Sequence, residues 1–200
     1  MKCMKEEYIQ LSKNLSVILS PSVDTRYIVL VSGNFTGTLE VQLAHAHMQV
    51  EIIGFIMGKN SEKIHVSAII FHHAIQTTST AVIAIFASDT SDILIKNDAR
   101  IDKKSIDSQT ALIQKTLRMS DDTRIRVLPI LSMNQENVLA SHSALVNGFD
   151  PESLRYLMSR GISQKDGERI LALGQFRSVA ENVSDPNIRQ TLYNEWKRFI

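Results

Sequence analysis

The six histidines of this 200-residue chain are its most chemically capable side chains, because imidazole ligates borderline metals such as iron and moves protons near neutral pH. They fall into three groups. His142 stands alone in an alternating segment that carries Val127, Ile130, Val138 and Val146. His45 and His47 lie two residues apart, with Glu51 further on; Glu51 shares their parity only if one strand runs unbroken across Met48–Val50. His65, His72 and His73 form a looser set, and adjacent His72 and His73 put one ring on each face of a strand, so at most one can join a site with His65. A lone strand histidine is ordinarily a hydrogen-bonded structural residue. The surroundings must therefore decide.

The elements that position these residues change character along the chain. Tyr8, Leu11, Leu15 and Ile18 recur at three- and four-residue steps, which predicts a short helix ending near Pro21 in an N-terminal segment, residues 1–22. From Tyr27 onward the pattern is β-rich: Tyr27–Val31, Thr38–Leu43, Val50–Met57, Ile64–Phe71, Ala81–Ala87 and Ile93–Ile95 read as strands. They are separated by turn chemistry at Gly33-Asn34, Gly58 to Ser61, Asp89 to Asp92 and Asn97-Asp98. The polar stretch Asp98–Ser120 is read as further strand. Strands without helical crossovers fit a sandwich, a jelly roll or a β-solenoid, and periodicity does not choose between them.

After residue 149 the grammar becomes helical. Asp150-Pro151-Glu152 supplies a capping carboxylate, proline at the first helical position and an acid in the first turn, and Gly161 follows as a left-handed stop. Ser163 with Asp166 starts a second helix and Asp185-Pro186 a third. Three short helices cannot hold themselves together. Their apolar stripe, Leu154, Leu157, Met158, Ile170, Phe176 and Trp196, must meet the β core, one another or a partner.

Composition narrows the function. With 22 basic and 21 acidic residues, the net charge of +1 gives no electrostatic case for nucleic acid or an anionic membrane. Cys3 is the single cysteine, so neither an internal disulfide nor a thiolate metal site is expected within one chain, and the cytoplasm is the expected location. The amphipathic N-terminus lacks the apolar block of a signal peptide, and the longest apolar runs are too short to span a bilayer. No glycine-rich turn precedes a lysine and serine, so ATP hydrolysis by the chain itself is not expected.

Two resemblances attach to the histidines. His45, His47, Glu51 and Gly58 resemble the first motif of the cupins, which implies two histidines and a glutamate binding a divalent metal in a jelly roll; the second cupin element, with its proline, has no counterpart. The segment from Asp121 to Gly161 resembles the C-terminal signature of the SufB/SufD family, most closely its SufD members. Val138, Ser141, His142, Ala144, Asp150, Leu154, Tyr156, Leu157, Ser159, Arg160, Gly161 and Ile162 fall on that pattern in register, and weaker similarity extends back through Gly33–Gly58. The resemblance implies a right-handed parallel β-helix over residues 23–149 and a helical docking domain over 150–200. It further implies a scaffold role in iron–sulfur cluster assembly, with a transient cluster shared with a partner and none bound tightly by the isolated chain. His142 would be the assembly residue and candidate metal ligand at a subunit interface, facing a SufB-type scaffold subunit or a second copy. A SufC-type ABC ATPase would dock on the tail helices. Ser143, Leu145 and Asn147 depart from the pattern, Ala140 stands where some relatives have cysteine, and the family's long N-terminal region is lacking. Those departures fit an alternative, a shortened paralogue that serves only as a binding module for the ATPase.

Overall fold

In the computed structural model, residues 4–11 and 14–200 are described; Cys3 lies outside them. Strands β1 (Lys5–Leu11), β3 (Thr25–Ser32), β5 (Gln49–Gly58), β7 (Thr78–Ala87), β9 (Ser108–Arg118) and β11 (Val138–Asn147) form one parallel sheet in that order. Strands β2 (Ser16–Leu19), β4 (Phe35–Leu43), β6 (Lys63–His72), β8 (Asp92–Ile101) and β10 (Arg124–Met133) form the second. Consecutive strands alternate between the sheets, so the chain winds as a parallel β-solenoid of about four turns. Asp98–Ser120 supplies the end of β8 and all of β9, as expected.

The winding follows from inward columns of like side chains. Val31 pairs with Ile56, and Ile56 with Ile85; in the facing sheet Phe35 pairs with Ile64, and Ile64 with Ile93. All are buried. In β3, β5 and β7, which are packed on both faces, the runs are nearly continuously apolar, whereas β4, β6 and β8 alternate buried and more exposed residues. The corners repeat too. His47, Gln76 and Asp107 adopt left-handed φ angles of 62°, 53° and 58°, and the first two donate their backbone N–H to the next coil, to Ile75 O at 3.2 Å and Ile106 O at 2.8 Å. A left-handed non-glycine residue is uncommon and marks a turn that requires it.

The expected N-terminal helix is overturned. Tyr8 and Leu11 lie in β1, paired residue by residue with β3 from Lys5↔Thr25 to Leu11↔Val31, and Ile18 lies in β2. Alternation suits the site better than helical spacing: Leu11 faces the solenoid interior while Tyr8 packs on the outer face. Tertiary pairing outweighs local propensity.

Helices α1 (Pro151–Ser159), α2 (Gln164–Ala180) and α3 (Pro186–Phe199) begin at the expected caps. Asp150 accepts from Ser153 N–H at 2.8 Å, Ser163 accepts from Asp166 N–H at 3.2 Å, and Asp185 accepts from Asn187 N–H at 2.7 Å. Gly161 ends α1 at φ 83°. Helices α2 and α3 lie over the outer face of the first sheet, where Phe176 and Trp196 meet Phe55 and Phe86 at ring distances from 4.8 to 6.2 Å. Glu6 on β1 ties the connection between α2 and α3 to the sheet: its carboxylate accepts from Ser184 N–H at 3.0 Å, Asp185 N–H at 2.8 Å and Arg26 at 2.8 Å. Burial pushes its pKa up, but these hydrogen bonds outweigh that and hold it below the ordinary carboxylate range.

Candidate functional site: the terminal coil

Strands β10 and β11 close the winding, and among the described residues each has a paired neighbour on one side only, β8 and β9 respectively. In register, His142 stands over Leu112, Ala144 over Gln114 and Val146 over Thr116; in the facing sheet Pro129 stands over Asn97 and Leu131 over Ala99. Leu112 is a buried core residue, so His142 has the inward parity of its column. It is nonetheless exposed, because among the described residues no strand stacks beyond β11. The ring therefore looks along the open end of the solenoid rather than into a sealed interior.

The last coil is also unusually apolar for a surface. Leu128, Ile130 and Met133 on β10 and Leu139, Leu145 and Val146 on β11 are exposed, Leu139 at 67% and Leu145 at 55%. Beside them run two strand edges with which no further strand pairs among the described residues, a geometry that other chains can extend. Nothing in the local pattern marks this cluster: the residues read as ordinary strand hydrophobics, and only the position of the coil at the end of the winding exposes them.

The other candidate residues are dispersed. His45 and His47 are exposed on the corner between β4 and β5, where His47 is the left-handed residue. Glu51 lies on the outer face of β5 and is held by Arg26 at 2.6 Å. The unbroken strand that the cupin triad requires is interrupted by this turn. Among the described residues no three histidine, cysteine, aspartate or glutamate side chains gather as a metal-ligand set, and the jelly roll that the cupin motif implies is replaced by a solenoid of parallel strands. His72 is fully buried, with Nδ1 2.8 Å from Thr77 Oγ1 and Nε2 2.9 Å from Ser79 Oγ. Burial, with His73 adding a smaller repulsion, brings its pKa down to about 4 and keeps it neutral. His73 lies on the opposite face, 2.6 Å from Asp102.

The tail residues divide. Phe176 and Trp196, expected on a partner-facing stripe, are buried against the first sheet; their large apolar area is already removed from water, and neither can meet a partner without unpacking the fold. Leu154 and Leu157 are half-buried at the contact of α1 with α2, beside Gly167. Met158 and Ile170 remain exposed, and Tyr156 joins them.

A family model described as "SUF system FeS cluster assembly, SufBD core domain" matches residues 12–175. The chain belongs to the SufB/SufD family of iron–sulfur cluster assembly proteins. It is 24% identical over 177 residues to the iron–sulfur cluster assembly protein SufD of Bacillus subtilis, covering 88% of this chain and 34% of that protein. Against SufD of Plasmodium falciparum it is 18% identical over 188 residues, covering 93% of this chain and 13% of the relative. A SufBD family protein of Mycobacterium leprae is 27% identical over 96 residues, covering 48% of this chain and 24% of the relative. The chain thus spans about a third or less of the length of these relatives. No helix is long and apolar enough to cross a membrane among the described residues.

Proposed function

We propose that the chain acts as a SufD-type scaffold subunit, in which the terminal coil presents His142 to a SufB-type subunit or a second copy, and the tail helices hold a SufC-type ATPase. The observation that carries this reading is the juxtaposition of an exposed, inward-parity histidine with two unpaired strand edges and an exposed apolar rim. Covering that rim with a like coil satisfies the backbone edges and removes apolar surface from water. His142 offers a single imidazole with no ligand cluster around it among the described residues. It would therefore ligate the cluster, which is cargo, or carry a proton for its assembly only when a partner contributes the remaining groups.

For the ATPase, Tyr156, Met158 and Ile170 offer an exposed surface on α1 and α2, supported from below by Leu154 and Leu157. Helix α1 packs on α2 without a buried residue of its own. Movement of an ATPase bound there would reach the terminal coil through the short link between β11 and α1.

The deciding experiment reconstitutes the chain with candidate SufB-type and SufC-type partners and compares it with the His142→Ala variant. Association of the subunits should be unchanged, while iron and sulfide loading falls at least tenfold. Association with normal loading in the variant would select the binding-module reading, and failure to associate with either partner class would defeat the scaffold reading itself.

A further inference from the structure

The helices cover the outer face of the first sheet only in part. Down one outward column Leu30 pairs with Phe55 and Phe55 with Ala84, all fully buried, and the next position is Lys115 on β9. Beside that column Ile53, Val82 and Ile113 pair in turn across β5, β7 and β9. Ile53 is buried, whereas Val82 and Ile113 are half-buried. Between this row and the C-terminal half of α2 lies a cavity of about 600 Å³, with Val179 and Ser178 of α2 among its walls and Lys115 in its lining.

The charges around this cavity are not equivalent. Arg26 is held by Glu51 at 2.6 Å and by Glu6 at 2.8 Å, and Glu181 accepts from the Tyr193 hydroxyl at 2.9 Å and pairs with Arg189 at 3.1 Å. Lys115, the remaining charged residue of the lining, makes no hydrogen bond or ion pair among the described residues. Its stem continues an apolar column while its ammonium is left without a counter-charge. The volume falls in the range of small-molecule sites, roughly 300–1,000 Å³, which combine an apolar surface with a few polar groups. One unmatched positive charge beside an apolar floor suits one negative charge on an apolar body. A single ammonium matches a monocarboxylate, whereas a phosphate dianion would bring a second charge, uncompensated, toward Glu51 and Glu181.

We propose that the cavity between α2 and strands β5, β7 and β9 binds a small amphipathic monocarboxylate, with its carboxylate on Lys115 Nζ and its apolar body over Ile53, Val82 and Ile113. Such a molecule bridges helix and sheet, so its binding favours the state in which α2 is seated on the solenoid. The site stands on the lining residues alone and does not depend on the scaffold reading above.

Methyl NMR of the whole chain, titrated with decanoate as the probe, tests the site. The methyl groups of Ile53, Val82 and Ile113 should shift together along one saturable curve. Lys115→Met, which keeps the stem and removes the charge, should weaken decanoate at least tenfold and leave decan-1-ol, its uncharged counterpart, within twofold; Lys115→Gln supplies the same comparison if the first variant does not fold. Absence of shifts at these methyls in millimolar decanoate overturns the site. Shifts centred on Met158 and Ile170, or on Leu139 and Leu145, overturn it as well, because they mark general adhesion to exposed apolar side chains. Equal weakening of decanoate and decan-1-ol by loss of the charge, or weakening of neither, overturns the assignment of Lys115 as partner of the carboxylate.

Discussion

The outer face of the first sheet and the terminal coil are made from the same kinds of residue and treated in opposite ways. On the sheet face, Phe55 and Phe86 project outward and are fully buried, because Phe176 and Trp196 from α2 and α3 close over them. On the terminal coil, Leu128, Ile130, Leu139 and Leu145 project from equally regular strands and stay in solvent. Apolar side chains covered within the chain hold it together; those left uncovered are available to hold it to something else. The two histidines follow the same division. His72 is enclosed, doubly hydrogen-bonded and neutral, whereas His142 is open to solvent at the end of the winding.

If that division is right, truncation should be most damaging where the chain supplies its own cover. Phe176→Ala removes the ring that touches Phe55, Phe86, Tyr193 and Trp196, and it should lower unfolding stability by about 3–5 kcal/mol, measured by urea denaturation. A loss below about 1 kcal/mol would mean that the helices rest on the sheet loosely, and the contrast between the two regions would collapse.

The enclosed histidine gives the next largest effect. Its folded pKa, about 4, lies below the ordinary histidine value near 6.5, so between those values the unfolded chain binds more protons. Stability is then fully present above pH about 6.5 and is lost as pH falls through the window toward 4, by up to about 3 kcal/mol. Urea titrations at pH 7 and pH 4.5 should show this slope, and His72→Gln should flatten it.

Much of this could be read from the sequence, and the failures have physical causes. Strand runs such as Val50–Met57 and Ala81–Ala87 were legible because these two strands, packed on both faces, are nearly continuously apolar. The caps at Asp150, Ser163 and Asp185 were legible because capping is local. The first turn was not: Tyr8, Leu11, Leu15 and Ile18 fit a helical stripe equally well, and only pairing with β3 and β4 decides for strand. The winding showed no repeat because its coils differ in length: Lys5 pairs with Thr25, whereas Ser108 pairs with Val138. His142 stands out in the sequence only through its neighbours in the motif, while the exposure of Leu139 and the burial of Phe176 and Trp196 depend on which surfaces end up adjacent, information that no local window contains.

The uncovered side of the contrast is tested by charging it. Leu139 and Leu145 share one parity on β11, with no strand beyond them among the described residues, so lysines there keep the register and hold their charged ends in water. Stability of the double variant Leu139→Lys, Leu145→Lys should stay within about 0.5 kcal/mol of the parent at each site, as for other surface changes. Association with a scaffold partner or a second copy, followed by analytical ultracentrifugation, should weaken roughly a hundredfold, equivalent to about 2.7 kcal/mol, because two desolvated ammonium groups now oppose the contact. An unchanged dissociation constant would place the interface elsewhere. A stability loss comparable to that of Phe176→Ala would mean that the rim is part of the folded core after all, covered from within in solution.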